Sequence, residues 1–293
     1  MFERRAYLLD VTDRCPTERL LQELVDILVR YRYNEFFLYR GEGPCTGEFA
    51  PKLARLPLYC EMQGLAFAEI GPSGFDALQL DQSNVCVPTF AARSLAGRIE
   101  EMRRALEAGE VAMRARQAKR YLVTDFSDGY AWQPLAVSLP AIVLGGNFMT
   151  GGAKAAKMDL EKELCSVMDL PIGGLLQKLG TLYLRGGAIR SDASEFFNIL
   201  AGDCGYSRHP GLTQYVLDEI SGICRGIRIA TERWTDRNDW AKEIAYAANL
   251  VDCACHRRNE AMLRELRDEH GRIWRLRYCP EGRVESLSKL PRF

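Results

Sequence analysis

Long apolar runs are missing from this chain of 293 residues: the roughly 20 uninterrupted apolar residues of a membrane span occur nowhere, so no membrane partner is expected. An excess of charge is missing too. The 39 basic and 39 acidic residues cancel, which leaves no global field to attract nucleic acid. Histidine is scarce, and the three present (His209, His256, His270) follow no nucleophile elbow, so a hydrolytic triad is not expected. The glycine pairs Gly145-Gly146, Gly151-Gly152 and Gly173-Gly174 open no phosphate loop and read as hinges or helix ends. The opening MFERRAYLLDVTDRC lacks the apolar run of a signal peptide, which points to a cytoplasmic protein. Ten cysteines show no repeated spacing. The tightest group, Cys253, Cys255 and His256, lacks paired C-x-x-C geometry, so buried free thiols are expected, with no metal and no cofactor.

What is present is a hydrophobic content of 47%, enough for sizeable cores. AYLLDV (6–11) reads as a strand, a Pro16-Thr17-Glu18 start leads into a helix with apolar residues from Leu20 to Tyr31, and EFFLY (35–39) reads as the next strand. Together they make a βαβ unit. Residues 41–64 show no strand of useful length. AFAEI (66–70) and VCVPT (85–89) give a third and fourth strand, with at most two helical turns over 75–83 between them. A long amphipathic helix over 94–118 then leads to a fifth strand at Tyr121.

The densest chemistry follows that fifth strand. YLVTDFSDGYAWQPLAVSLPAIVLGG (121–146) carries Asp125, Asp128, Tyr130, Trp132 and Gln133 just past the strand's C-terminal end, where parallel α/β proteins place ligands. Pro134 and Pro140 bracket a turn into an apolar helix that ends near Gly145-Gly146. Asp125 and Asp128 suit hydrogen bonds to sugar hydroxyls, and Tyr130 or Trp132 suits stacking on a sugar ring. The competing reading makes Asp125 a cap and Trp132 a packing residue. Glu69 ends the third strand as either a site carboxylate or a solvent-facing acid. Arg14, Arg40 and Arg93 lie near strand ends, where salt bridges are their ordinary role.

The same stretch resembles the last barrel strand and following helix of family 20 glycoside hydrolases, the β-N-acetylhexosaminidase type. A subgroup there runs T-D-W-G-D-x-G-H-W-Q-P-x-x-x-S-x-P. Thr124, Asp125, Asp128, Trp132, Gln133, Pro134, Ser138 and Pro140 fit; Phe126, Ser127 and Tyr130-Ala131 depart. Residues 8–39 are similar to the barrel's opening, where Asp13 occupies the register of a sugar-holding arginine and Arg14 takes that role under a one-residue shift. Glu42 is a displaced match to an acid after the second strand. The end, IWRLRYCPEGRVESLSKL, is similar to the subgroup's closing segment at Trp274, Arg277, Gly282 and Ser286.

A closed eight-stranded barrel takes about 250 residues, and the first half of this chain supplies only about five βα units. The resemblance therefore implies an α/β fold with an incomplete TIM-barrel-like parallel sheet over 1–152 and an all-helical C-terminal domain over 153–293. It also implies substrate-assisted hydrolysis of terminal N-acetylhexosamine, which needs an Asp-Glu pair on the fourth barrel strand. That strand is missing. Asp218-Glu219 and Asp268-Glu269 lie in helical patterns, where exposed acidic faces explain them. The catalytic residues stay unknown, and two functions stay open: an impaired glycosidase, or a non-catalytic derivative that binds carbohydrate or a protein. Lost strands leave open edges, so either cover by the C-terminal helices or a homodimer joined at those edges is expected.

Overall fold

A computed structural model describes residues 2–45, 53–127, 129–152, 158–187, 194–202, 210–256 and 259–290. Five parallel strands alternate with helices: β1 (Arg4–Asp10), α1 (Glu18–Arg30), β2 (Glu35–Tyr39), α2 (Leu56–Met62), β3 (Ala66–Ile70), α3 (Pro72–Leu80), β4 (Asn84–Pro88), α4 (Ile99–Arg116) and β5 (Arg120–Asp125). A short 3-10 turn (Leu135–Ser138) leads into α5 (Leu139–Gly151). The rest is helical: α6 (Leu160–Met168), α7 (Gly173–Leu179), a 3-10 turn (Leu182–Gly187), α8 (Glu195–Ala201), α9 (Gln214–Thr235), α10 (Asp239–Cys255), α11 (Glu260–Arg277) and α12 (Arg283–Lys289). None of the described helices is long and apolar enough to cross a membrane.

The strand order β3-β2-β1-β5-β4 identifies the architecture. The common doubly wound orders set β4 or β3 against β1 on the side away from β2. Here β5 pairs with β1 and β4 lies outside it, so the first and last strands are neighbours, as the first and last strands of a closed barrel are. Side-chain alternation then defines two faces. Tyr7, Leu9, Phe36, Leu38, Tyr121 and Val123 point into the layer of α1, α4 and α5, where one apolar core runs on into the C-terminal helices. Ala6, Leu8, Leu122, Phe37, Tyr39 and Cys86 point to the opposite, concave face.

In a whole barrel that concave face would be the interior. Here α3, the connection from β3 to β4, lies across it and packs Phe75 and Leu78 against Ile70, Cys86 and Phe126. Tyr39, Phe75 and Phe126 form a cluster with ring centroids 5.0 to 5.6 Å apart and steeply inclined planes. The free edges are flanked by α2 and α3 at β3 and by α3 and α4 at β4. The helices packed beside the edge strands thus belong to the first half of the chain.

The expectation of a helix ending at Gly145-Gly146 is corrected: α5 continues to Gly151. A Cβ on Gly145 would stand 2.7 Å from the Tyr33 hydroxyl and 2.9 Å from Val123, and one on Gly146 would stand 2.5 Å from the Tyr31 carbonyl. The glycines let the helix approach the sheet closely. The apolar pattern over 240–266 divides into α10 and α11, because Asn259 caps a fresh helix by accepting from the Ala261 and Met262 amides.

Candidate functional site

The polar groups at the C-terminal end of the sheet separate into two clusters, one on each face. On the concave side, β1 ends in Asp10, of the same parity as Ala6 and Leu8. Its carboxylate accepts the Thr12 amide at 2.9 Å and the Ser127 amide at 3.4 Å, and the Ser127 hydroxyl donates to Asp13 at 2.9 Å. Two acids therefore meet over one serine. Burial raises the Asp10 pKa, the bonds from Thr12 and Ser127 oppose that rise, and the charge of Asp13 adds to it. Asp10 is absent from the residues singled out by sequence; the alternation along RRAYLLD is the signal that places it here.

On the helix-facing side lies Asp125, of the same parity as Tyr121 and Val123 and fully buried. One carboxylate oxygen accepts the Tyr7 hydroxyl at 2.7 Å and the other the Thr89 hydroxyl at 3.1 Å. Burial first, and then the adjacent Asp125 charge, hold the Tyr7 phenol well above its ordinary pKa, so it stays a donor. Arg14 is buried in the same layer, donates to the Gln133 carbonyl and lies 5.6 Å from the Tyr278 ring centre. Burial works against its charge, but Tyr278, Asp125, Tyr7 and Asp10 outweigh it and raise the guanidinium's pKa. Arg14 Nη2, Gln133 Nε2 and the Tyr278 hydroxyl are buried without hydrogen-bond partners among the described residues.

Between the clusters runs the loop after β5. Trp132 is buried against Tyr130 and Phe197 and donates its indole N–H to the Ser286 carbonyl at 3.3 Å. Tyr130 is half-buried, its carbonyl accepts the Ser286 hydroxyl at 2.9 Å, and Lys289 approaches its ring while donating to the Gly129 carbonyl. Gly282, at a φ of +78°, passes so close to the Asp13 carbonyl that a Cβ there would stand 2.1 Å away. The closing segment therefore buttresses the loops from β1 and β5. Glu69 is elsewhere, at the outer edge on the helix-facing side, paired with Arg40 at 2.7 Å. Asp128 lies outside the described residues.

Thus the structure brings Arg14 and Asp125 into one buried layer, places Tyr130 and Trp132 beside them, and leaves Glu69 apart. The arrangement offers hydrogen-bonding groups but little interior: Tyr39, Phe75 and Phe126 pack together on the face to which Asp10 belongs. Grooves of about 590, 430 and 410 Å³ lie elsewhere, along α11 and α12, beside β4 and α4, and on α9. The pairs Asp218-Glu219 and Asp268-Glu269 stay on helices, with Glu219 bound to Arg185 and Glu269 to Asn249.

The C-terminal helices hold one constellation that spacing did not show. The buried Ser221 hydroxyl is 3.0 Å from His256 Nε2, and Asp252 is 3.3 Å from the same ring nitrogen. A catalytic relay needs the acid on the other nitrogen, so this trio does not make a triad. No group of three His, Cys, Asp or Glu side chains among the described residues could hold a metal ion. Cys253 and Cys255 are buried, and burial, followed by the nearby Asp252, pushes the Cys255 thiol up to about 12. Comparison with protein-family models and with curated proteins finds no match.

Proposed function

We propose that this chain is a shortened, non-catalytic relative of family 20 glycoside hydrolases that binds an N-acetylhexosamine-type carbohydrate at the rim formed by Asp13, Ser127, Tyr130 and Lys289. The observation that carries the reading is the state of the β5 carboxylate. Both oxygens of Asp125 are occupied by Tyr7 and Thr89 on the helix side, while the concave face is filled by Tyr39, Phe75 and Phe126. The ancestry is supported by a spatial coincidence: segments resembling the family's opening, last strand and closing tail touch one another, through Gly282 on Asp13 and through Ser286 on Tyr130 and Trp132. Cytoplasmic residence belongs to the same reading.

Titration calorimetry with N-acetylglucosamine and N-acetylgalactosamine, run beside an assay with their aryl glycosides, tests the proposal. Binding is expected without turnover. Turnover that survives Asp125→Asn but vanishes in Asp10→Asn would replace it with a second reading, an enzyme that uses the Asp10 and Asp13 pair. That alternative draws on the placement of Asp10 beside Asp13 over Ser127, with burial raising the Asp10 pKa in the direction that favours proton donation.

Association of two copies is part of the proposal. The Ala66 amide and the Ile70 carbonyl bond toward β2, so the backbone groups of Phe67 and Glu69 face the open edge of β3. Two-fold pairing of these edges gives a homodimer. Sedimentation velocity checks it, and a monomer at every concentration would remove this part alone.

A further inference from the structure

We propose that the groove between α11 and α12 is a binding site for a small oligophosphate, independent of any carbohydrate site. The groove has a volume of about 590 Å³ and is lined by Arg267, Arg272, Arg275 and Arg283, with Asp268 as its one acid. Arg272 and Arg275 are exposed and Arg283 is half-buried; the side chains of these three make no ion pair or hydrogen bond among the described residues, though the charge of Arg272 acts on nearby Glu269. Elsewhere the arginines of this chain commonly meet acids, as Arg4 and Arg120 do at Glu35, Arg19 at Glu23 and Arg277 at Glu243. In a chain of balanced charge, this groove is a local excess of positive charge, four arginines against one lining acid.

Geometry narrows the ligand. Arg272 and Arg275 are three apart and share one side of α11, while Arg283 enters from the start of α12. Arg267 donates to the carbonyls of Leu287 and Leu290 at 2.8 and 3.0 Å and so fixes the spacing of the two helices. Guanidinium forks arriving from two helices match an anion with several oxygen-bearing centres, because each fork can take two oxygens of one phosphate. At about 590 Å³ the groove offers more space than a lone phosphate would fill. No aromatic side chain lines it. It therefore lacks the stacking platform that single-stranded nucleic acid or a nucleobase uses.

The unliganded protein holds like charges at close range, at a cost that a bound polyanion relieves. Tripolyphosphate should therefore raise the melting temperature more than orthophosphate or sodium chloride at matched ionic strength. Titration calorimetry of the full chain with tripolyphosphate should give saturable binding, with affinity reduced at least tenfold in Arg275→Ala and in Arg283→Ala. Asp268→Asn should tighten it. Because Arg275 and Arg283 are not core residues, both alanine variants should keep the wild-type far-UV spectrum. Absence of tripolyphosphate binding at millimolar concentration overturns the assignment. So does equal binding by an Arg275→Ala/Arg283→Ala double variant, equal affinity for citrate at matched ionic strength, or a higher affinity for a single-stranded oligonucleotide.

Discussion

Tyr7 and Asp125, 118 residues apart in the chain, meet at 2.7 Å across the β1–β5 pair, with the phenol as donor and the carboxylate as acceptor. The register places Tyr7 opposite Val123, so the carboxylate reaches back along the helix-facing side of the sheet. This contact joins the first and last strands in a layer that water does not reach. It is a structural use of the acid that composition and position made the leading ligand candidate.

Asp125→Ala removes the acceptor for two buried hydroxyls and a carboxylate whose charge supports the buried Arg14. A loss of about 3–5 kcal/mol in urea unfolding is expected. Tyr7→Phe leaves only one carboxylate oxygen unpaired and should cost about 1–3 kcal/mol. If Asp125→Ala unfolds at the wild-type urea concentration, the buried network contributes nothing.

Arg277 binds the chain's two halves together. It is buried between Glu243 and Glu23, stacks 4.3 Å from the Trp240 ring centre, and shares Glu243 with the Ala136 amide. Burial opposes its charge, and the two glutamates more than reverse this, raising its pKa. Arg277→Ala strands a buried carboxylate and should cost about 3–5 kcal/mol. Circular dichroism of a 1–152 fragment should show no cooperative melt, since α1 and the turn before α5 both depend on this cluster; a sharp melt would count against that.

Acid should weaken the fold through His270. Its ring nitrogens contact the Tyr246 hydroxyl at 2.6 Å and the Ser286 hydroxyl at 3.1 Å, and burial, helped by Arg267, lowers its pKa from 6.5 to about 3. The unfolded chain thus takes up a proton that the folded chain refuses. This contribution is whole above pH 6.5 and is lost as the pH falls toward 3, at up to about 1.4 kcal/mol per pH unit. In His270→Gln that part of the slope should vanish from urea midpoints measured between pH 7 and pH 5; an unchanged slope would exclude this ring as the source.

The outer edge of β4 is guarded by proline. Thr89 donates to Thr124, and the Ser83 carbonyl accepts from Lys119 and Arg120, so odd-numbered residues bond toward β5 and Pro88 faces outward. Pro88→Val restores an outward N–H. Sedimentation velocity should then show self-association strengthened by about tenfold or more; no change would mean that α3 and α4 already close that edge.

The strands were legible because their ends carry punctuation. EFFLY and AFAEI follow Asn34 and Leu65 and stop before Arg40 and Gly71, and β2 and β3 occupy those five-residue segments. The helix anticipated from Ser94 starts at Ile99 instead, because Arg93, Leu95 and Gly97 take positive φ and bend the chain first. Such bends leave no periodic trace. The side on which Asp125 points could have been read from Tyr121 and Val123, since alternate residues share a face. Asp10 yields to the same reasoning. The Arg14–Gln133 and Gly282–Asp13 contacts could not be read that way, because they join segments that no local rule connects.

One connection settles how this fold could grow. Since α3 runs from the open side of β3 to the open side of β4, additional strands threaded between Ile70 and Asn84 would meet waiting partners at both margins. The same short helix is therefore the one connection through which the sheet could be widened at both of its edges at once.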